Sequence, residues 1–164
     1  MNRVFIYFAR FAVILGGYGF AAIAASAFLN LMLVGHLDLT PDETAGVVTG
    51  SIWLSIPFLA LFVGYFAFMP SLPVILLSEI LGWRSWLFHA LAGAGIAAFV
   101  VLGFFGVDLG SQLGQNPRLA LSLIGGGIVG GAAYWLVAGR YAGEWRARAA
   151  RPTAVAPGPA GDSG

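Results

Sequence analysis

The chain has 164 residues, 59 % of them apolar before its 24 glycines are counted, where a soluble domain has about 45–50 % with glycine included. Only 9 % are charged, the formal net charge is +1 and there is no cysteine. These values exclude a disordered polymer, a strongly basic nucleic-acid binder, a disulfide scaffold, an iron–sulfur protein and a cysteine nucleophile. They also leave too few charges to clothe a water-soluble domain of this size.

Four stretches lack Asp, Glu, Lys and Arg. They are Phe11–Gly35 (25 residues), Thr44–Ser78 (35), Ser85–Val107 (23) and Leu119–Gly139 (21). About 20 apolar residues cross the hydrocarbon core as a helix. The expected fold is therefore an all-α membrane protein, a four-transmembrane-helix bundle with spans near 11–34, 45–69, 85–106 and 118–139.

The first span opens after Arg3 and Arg10. Met1–Ala27 also has the outline of a signal peptide, with Ala25-Ser26-Ala27 as its small-residue site. Arg10 interrupts its apolar core and the run continues through Leu33, so the segment reads as a retained span. Between spans one and two, His36, Asp38, Asp42 and Glu43 form an acidic outer loop. Capping and solvation account for its carboxylates without a metal: Thr40-Pro41-Asp42-Glu43 is an N-cap, a proline at the first helical position and an acid that closes a capping box.

The second run is too long for one span and too short for two. Pro70-Ser71-Leu72-Pro73 divides it, because each proline lacks an N–H and crowds the preceding turn. The expectation is a span ending near Met69, then a short interfacial helix over 73–81 closed by Gly82, with a re-entrant dip as the rival arrangement. Ser85 is the expected N-cap of span three, and Asn116-Pro117 opens span four. Ala149–Gly164, rich in Pro, Ala and Gly, reads as a flexible tail.

All eight basic residues are arginines. With four spans, Arg3, Arg10, Arg84, Arg140, Arg146, Arg148 and Arg151 share one side and Arg118 has the other to itself. The positive-inside rule then puts both termini in the cytoplasm of a bacterial inner membrane. Arg140, Arg146, Arg148 and Arg151 can also touch anionic lipid headgroups. Trp83, Trp86, Tyr134, Trp135, Tyr141 and Trp145 fall near the inner boundary and Trp53 near the outer one.

Two glycine clusters imitate a dinucleotide fingerprint: Gly17, Gly19 and Ala22 after Val13-Ile14-Leu15, and Gly125-Gly126-Gly127-Ile128-Val129-Gly130. Neither sits in a series of strands and amphipathic helices, so no cofactor is assigned to them. They read instead as helix-packing seams: Gly126/Gly130 and Gly127/Gly131 in span four, Gly17/Ala21/Ala25 in span one, Ala90/Ala94/Ala98 in span three. Such seams serve packing within the chain and equally a homo-oligomer or another membrane protein. His36 and His89 fall at opposite ends of their spans, too far apart to clasp one haem.

Polar candidates for function are few. Glu79 is the one carboxylate in an apolar inner segment, with Arg84 five residues on. They can pair across a broken helix and diverge on a straight one. At interfacial depth Glu79 costs little; deeper, an acid marks function. His89 reads as an interfacial hydrogen-bonding residue beside Trp86, with proton relay as the functional alternative. Asn30 should face a neighbouring helix. No catalytic set and no metal ligand set is assigned.

The stretch Leu72-Pro73, Ser78-Glu79, Trp83-Arg84-Ser85-Trp86-Leu87, His89 and Leu91-Ala92-Gly93, with Tyr134-Trp135-Leu136-Val137-Ala138-Gly139-Arg140 and Ala142-Gly143, resembles small four-span inner-membrane proteins of proteobacteria that have no assigned function. The resemblance covers roughly the second half of the chain. It implies four helices and no particular activity. The leading expectation is a non-enzymatic inner-membrane protein that acts through protein partners or lipids; the alternative is a small oligomeric transporter or channel subunit. Sidedness is directly testable in this cysteine-free chain: a cysteine at Ser111 is expected to react with an impermeant maleimide on intact spheroplasts, and one at Ser163 only after permeabilisation.

Overall fold

The computed structural model describes residues 3–35, 41–105 and 117–143. All regular structure among them is helical: α1 (Arg3–Val34), α2 (Pro41–Gly50), a π-helical turn (Ser51–Ser55), α3 (Ile56–Leu81), α4 (Trp86–Phe105), α5 (Pro117–Val137) and a 3-10 turn (Gly139–Tyr141). Four stretches are long and apolar enough to cross a membrane: Tyr7–Val34, Trp53–Leu81, Trp86–Gly103 and Pro117–Val137. The all-α four-helix bundle is thus observed. The acidic loop residues His36 and Asp38, the tail over 149–164, Trp145, and Arg146, Arg148 and Arg151 lie outside the described residues.

The second span differs from the sequence expectation. There is no separate helix over 73–81: α3 runs unbroken through Pro70 and Pro73 to Leu81. The spanning stretch lies correspondingly further along the chain, starting at Trp53 rather than at residue 45. The reason is the solvent. In water a proline-freed carbonyl finds a water molecule, so two prolines end a helix; in hydrocarbon a break would strand several backbone groups. Local hydroxyls also add bonds to the turns around the prolines: Ser71 Oγ donates to Phe68 O and Ser78 Oγ to Ile75 O, both at 2.8 Å. The irregularity falls instead at Ser51–Ser55, where the helix widens to π geometry just ahead of Pro57. Pro57 has no N–H for the Trp53 carbonyl, and a π turn absorbs that mismatch. Gly82 closes α3 in the left-handed region (φ 66°), and the N–H of Trp83 returns to Ser78 O at 3.0 Å.

Helix α5 is the centre of the bundle. It packs closely on α4 and α1, while α3 rests mainly on α1 and more loosely on α4. The glycine seams explain the asymmetry. Gly126 and Gly130 face α1, against Leu29 and against Ala21 and Ala25. Gly127 and Gly131, one residue round the helix, face α4, against Gly93, Ala97 and the His89 backbone. Two overlapping GxxxG pairs thus serve two neighbours, and Gly17 extends the α1 seam to Tyr134 and Ala138. With no hydrophobic effect between helices in lipid, such close backbone approach supplies the attraction.

On α4 the seam runs through Ala90, Gly93 and Ala97, not through Ala90, Ala94 and Ala98. Strict four-residue spacing drifts by about 40° per step on a helix of 3.6 residues per turn, whereas alternating steps of three and four hold one face.

Methyl groups added at these positions separate close approach from open space. At Gly127 a Cβ would meet Ala97 Cβ at 2.7 Å and run into the Gly93 carbonyl; at Gly131 it would run into the His89 carbonyl. Gly127→Ala and Gly131→Ala are each expected to destabilise the detergent-solubilised protein by roughly 1–3 kcal/mol. Gly16→Ala and Gly19→Ala, where nothing lies within 4 Å of the added carbon, should be neutral or stabilising. Thermal unfolding of the four variants side by side checks this.

Candidate functional site

The start of α1, the end of α3, the start of α4 and the end of α5 meet at one end of the bundle. Arg10 of α1 forms a salt bridge and hydrogen bond with Glu79 of α3. The same Arg10 nitrogen donates to Ala138 O at 3.1 Å, just after α5. The second Glu79 oxygen accepts from the Gly143 N–H at 3.2 Å. Arg84 Nε donates to Ala142 O at 2.9 Å, and Trp135 Nε1 donates to Arg84 O at 2.6 Å. The turn after α5 and the α3–α4 connection are thereby tied together and to the first helix.

Glu79 is buried within the bundle, and its partner is Arg10 rather than Arg84. On the unbroken α3, Arg84 lies beyond the helix end and binds a backbone carbonyl. The sequence carried one usable sign of the Arg10 pairing: an arginine interrupting an apolar run needs a counter-charge at its own depth, and Glu79 is the one acid on that side within a span.

His89 is also buried, on the α5 side of α4 and away from the lipid face that carries Trp86. Its Nδ1 lies 2.9 Å from Ser85 O. A carbonyl only accepts, so Nδ1 carries the proton and Nε2 is left as an acceptor. The ring stacks on Tyr134, with centroids 5.7 Å apart and planes at 29°. Gly139 makes room for it: a methyl there would sit 2.8 Å from Nε2. Tyr134 is likewise turned into the bundle rather than toward the membrane boundary, at 6 % exposure, whereas Trp83, Trp86 and Tyr141 are exposed. His89 Nε2, the Tyr134 hydroxyl and Arg10 Nε are buried without a hydrogen-bond partner.

Asn30 is not part of this cluster. It lies toward the other end of α1, is buried, and donates to Ser26 O of its own helix at 3.0 Å. Ser26 in turn donates to Ala22 O at 2.8 Å. Asn30 therefore has its donor satisfied within α1.

Between the two ends, a cavity of about 570 Å³ occupies the space that α3 leaves open. All four spanning helices line it, with Leu29, Phe62, Ile96, Val100 and Leu123 typical of its walls. The side chains with polar atoms on the lining are Tyr18, Ser71, His89 and Tyr134. Tyr18 donates its hydroxyl to Gly64 O at 2.5 Å, and Ser71 bonds within α3. The volume lies inside the range of about 300–1,000 Å³ typical of small-molecule sites.

No family model, curated protein or solved structure matches the chain.

The buried ion pair generates a stability test. Arg10→Ala leaves Glu79 charged and buried and is expected to cost roughly 3–5 kcal/mol. The double variant Arg10→Met/Glu79→Met removes both charges and should recover most of that loss. Thermal unfolding in detergent of the wild type, the single variant and the double variant is the measurement.

Proposed function

We infer that this is a multi-pass inner-membrane protein with both ends in the cytoplasm, and that it acts by holding an apolar chain drawn from the bilayer rather than by catalysing a reaction. The observation that carries the reading is the apolar cavity of about 570 Å³ between the four spans. A void of this kind inside a membrane is in exchange with lipid tails, which match its walls in polarity. The weak meeting of α3 with α4 supports lateral access, because a chain can enter between them without passing through headgroups.

The seven arginines grouped on one side support the orientation. The exposure of Arg140, whose guanidinium lies 4.7 Å from the Tyr141 ring centre, supports contact with anionic headgroups. A small oligomeric transporter or channel subunit remains the second reading, but Leu29, Phe62, Ile96 and Val100 offer a hydrated ion no ligands. Glu79, the acid such a path would use, is already held by Arg10 and Gly143.

The test is lipid retention. Protein purified in mild detergent and washed extensively is expected to keep bound single-chain or lipid species visible by native mass spectrometry. Ile96→Trp, which fills the cavity from α4, should lose most of them while keeping its helical circular dichroism. Equal retention by both proteins would place the lipid on the outer surface and remove this reading.

A further inference from the structure

The geometry points to Tyr134 as the recognition residue of this cavity, and to an uncharged, hydroxyl-bearing single-chain lipid, the long-chain alcohol class, as the ligand. The inference rests on the chain-holding reading above and adds the head that the chain must carry. Four observations lead to it.

The first is position. Along α5 the lining runs from Leu119 to Tyr134, about 22 Å of helix at 1.5 Å per residue. One extended chain fits that length, and Tyr134 stands at its end. The Tyr134 ring lies between α1 and α4, 3.5 Å from a carbon added at Gly17 and stacked on His89, and Tyr134 is on the lining.

The second is an unmet hydrogen bond. Tyr134 is 6 % exposed and its hydroxyl has no partner. Of the other polar side chains on the lining, Tyr18 and Ser71 already donate to backbone carbonyls, while His89 Nε2 is unpartnered and stands beside the phenol as a second group for the same head. A buried hydroxyl left unpaired in an apolar setting is costly, and a partner that arrives with the ligand removes that cost. A hydroxyl both donates and accepts, so it complements Tyr134 in either direction.

The third is charge. Arg10 and Glu79, the nearest charged pair, neutralise each other. Neither a carboxylate nor an ammonium head finds a free counter-ion there, and burying one unpaired is expensive. An uncharged head carries no such penalty.

The fourth is rigidity. His89 stacks on Tyr134 and is itself fixed by its bond to Ser85 O, with Gly139 against its far edge. His89 thus acts as a positioning residue that holds the phenol ring in place.

The experiment titrates hexadecanol, hexadecane and palmitate into the delipidated protein in phosphatidylcholine nanodiscs, with bound stoichiometry read by native mass spectrometry. Wild type is expected to prefer hexadecanol over both others. Tyr134→Phe keeps the ring and its stacking, and should weaken hexadecanol roughly tenfold while leaving hexadecane unchanged. Ile96→Trp should weaken hexadecanol and hexadecane alike. If hexadecanol and hexadecane bind wild type equally, or Tyr134→Phe leaves hexadecanol unaffected, the head assignment is wrong and the chain-holding reading stands. A preference for palmitate also overturns the assignment. If no compound binds, or Ile96→Trp changes nothing, both readings fall.

Discussion

How close two helices can come inside a membrane depends on what stands between their backbones. In this protein the decisive surface is the four-glycine set on α5, at Gly126, Gly127, Gly130 and Gly131. Because 126/130 and 127/131 point to adjacent faces, α1 and α4 both draw in tightly on α5. Helix α3 comes less close: a carbon added at Gly64 would meet Ala22 only at ordinary contact distance, 3.7 Å, and the large side chains Phe62 and Phe66 stand on the pocket lining. A bundle with three helices pulled together and the fourth held off leaves a half-open pocket between the spans. Packing and pocket have one origin.

The opposite device operates at one end of the bundle, where α3 is secured by polar bonds rather than by small residues. Arg10, Glu79, Ala138 and Gly143 fix its last turn to α1 and to the turn after α5. A buried ion pair is weak evidence for net stability but good evidence for registry, because a sliding helix would strand a charge. The continuous α3 is part of the same arrangement. A helix broken at Pro70 would not carry Glu79 to the depth of Arg10.

Much of the architecture was legible in the amino-acid order, and the misreadings share a cause. Four charge-free runs give four spans because length against bilayer thickness is a one-dimensional property. The glycine pairs of α5 and the Gly17/Ala21/Ala25 face of α1 were equally readable from spacing. The prolines of α3 misled because proline rules are calibrated in water, where a broken helix is solvated. On α4 the close contacts fall at Ala90, Gly93 and Ala97, a 3-4 spacing that a search for every fourth residue passes over. Glu79 with Arg10, and His89 with Tyr134, join residues distant in the chain. Burial of His89 follows from which face of α4 meets α5, and composition does not encode that. The cavity was not legible at all, since it is a difference between the shapes of four helices rather than a property of any one.

The ties around Arg10 also bear on biogenesis. Arg10 enters the bilayer with the first span, but its counter-charge arrives with Glu79 and its remaining acceptor with Ala138. Chains emerge from the ribosome N-terminus first. The arginine must therefore wait near the headgroups, or beside the insertion machinery, until α3 has been made, and its bond to Ala138 waits for α5. Closure of the bundle is in this sense a late act of synthesis, and a nascent chain halted before α3 would still carry Arg10 unpaired.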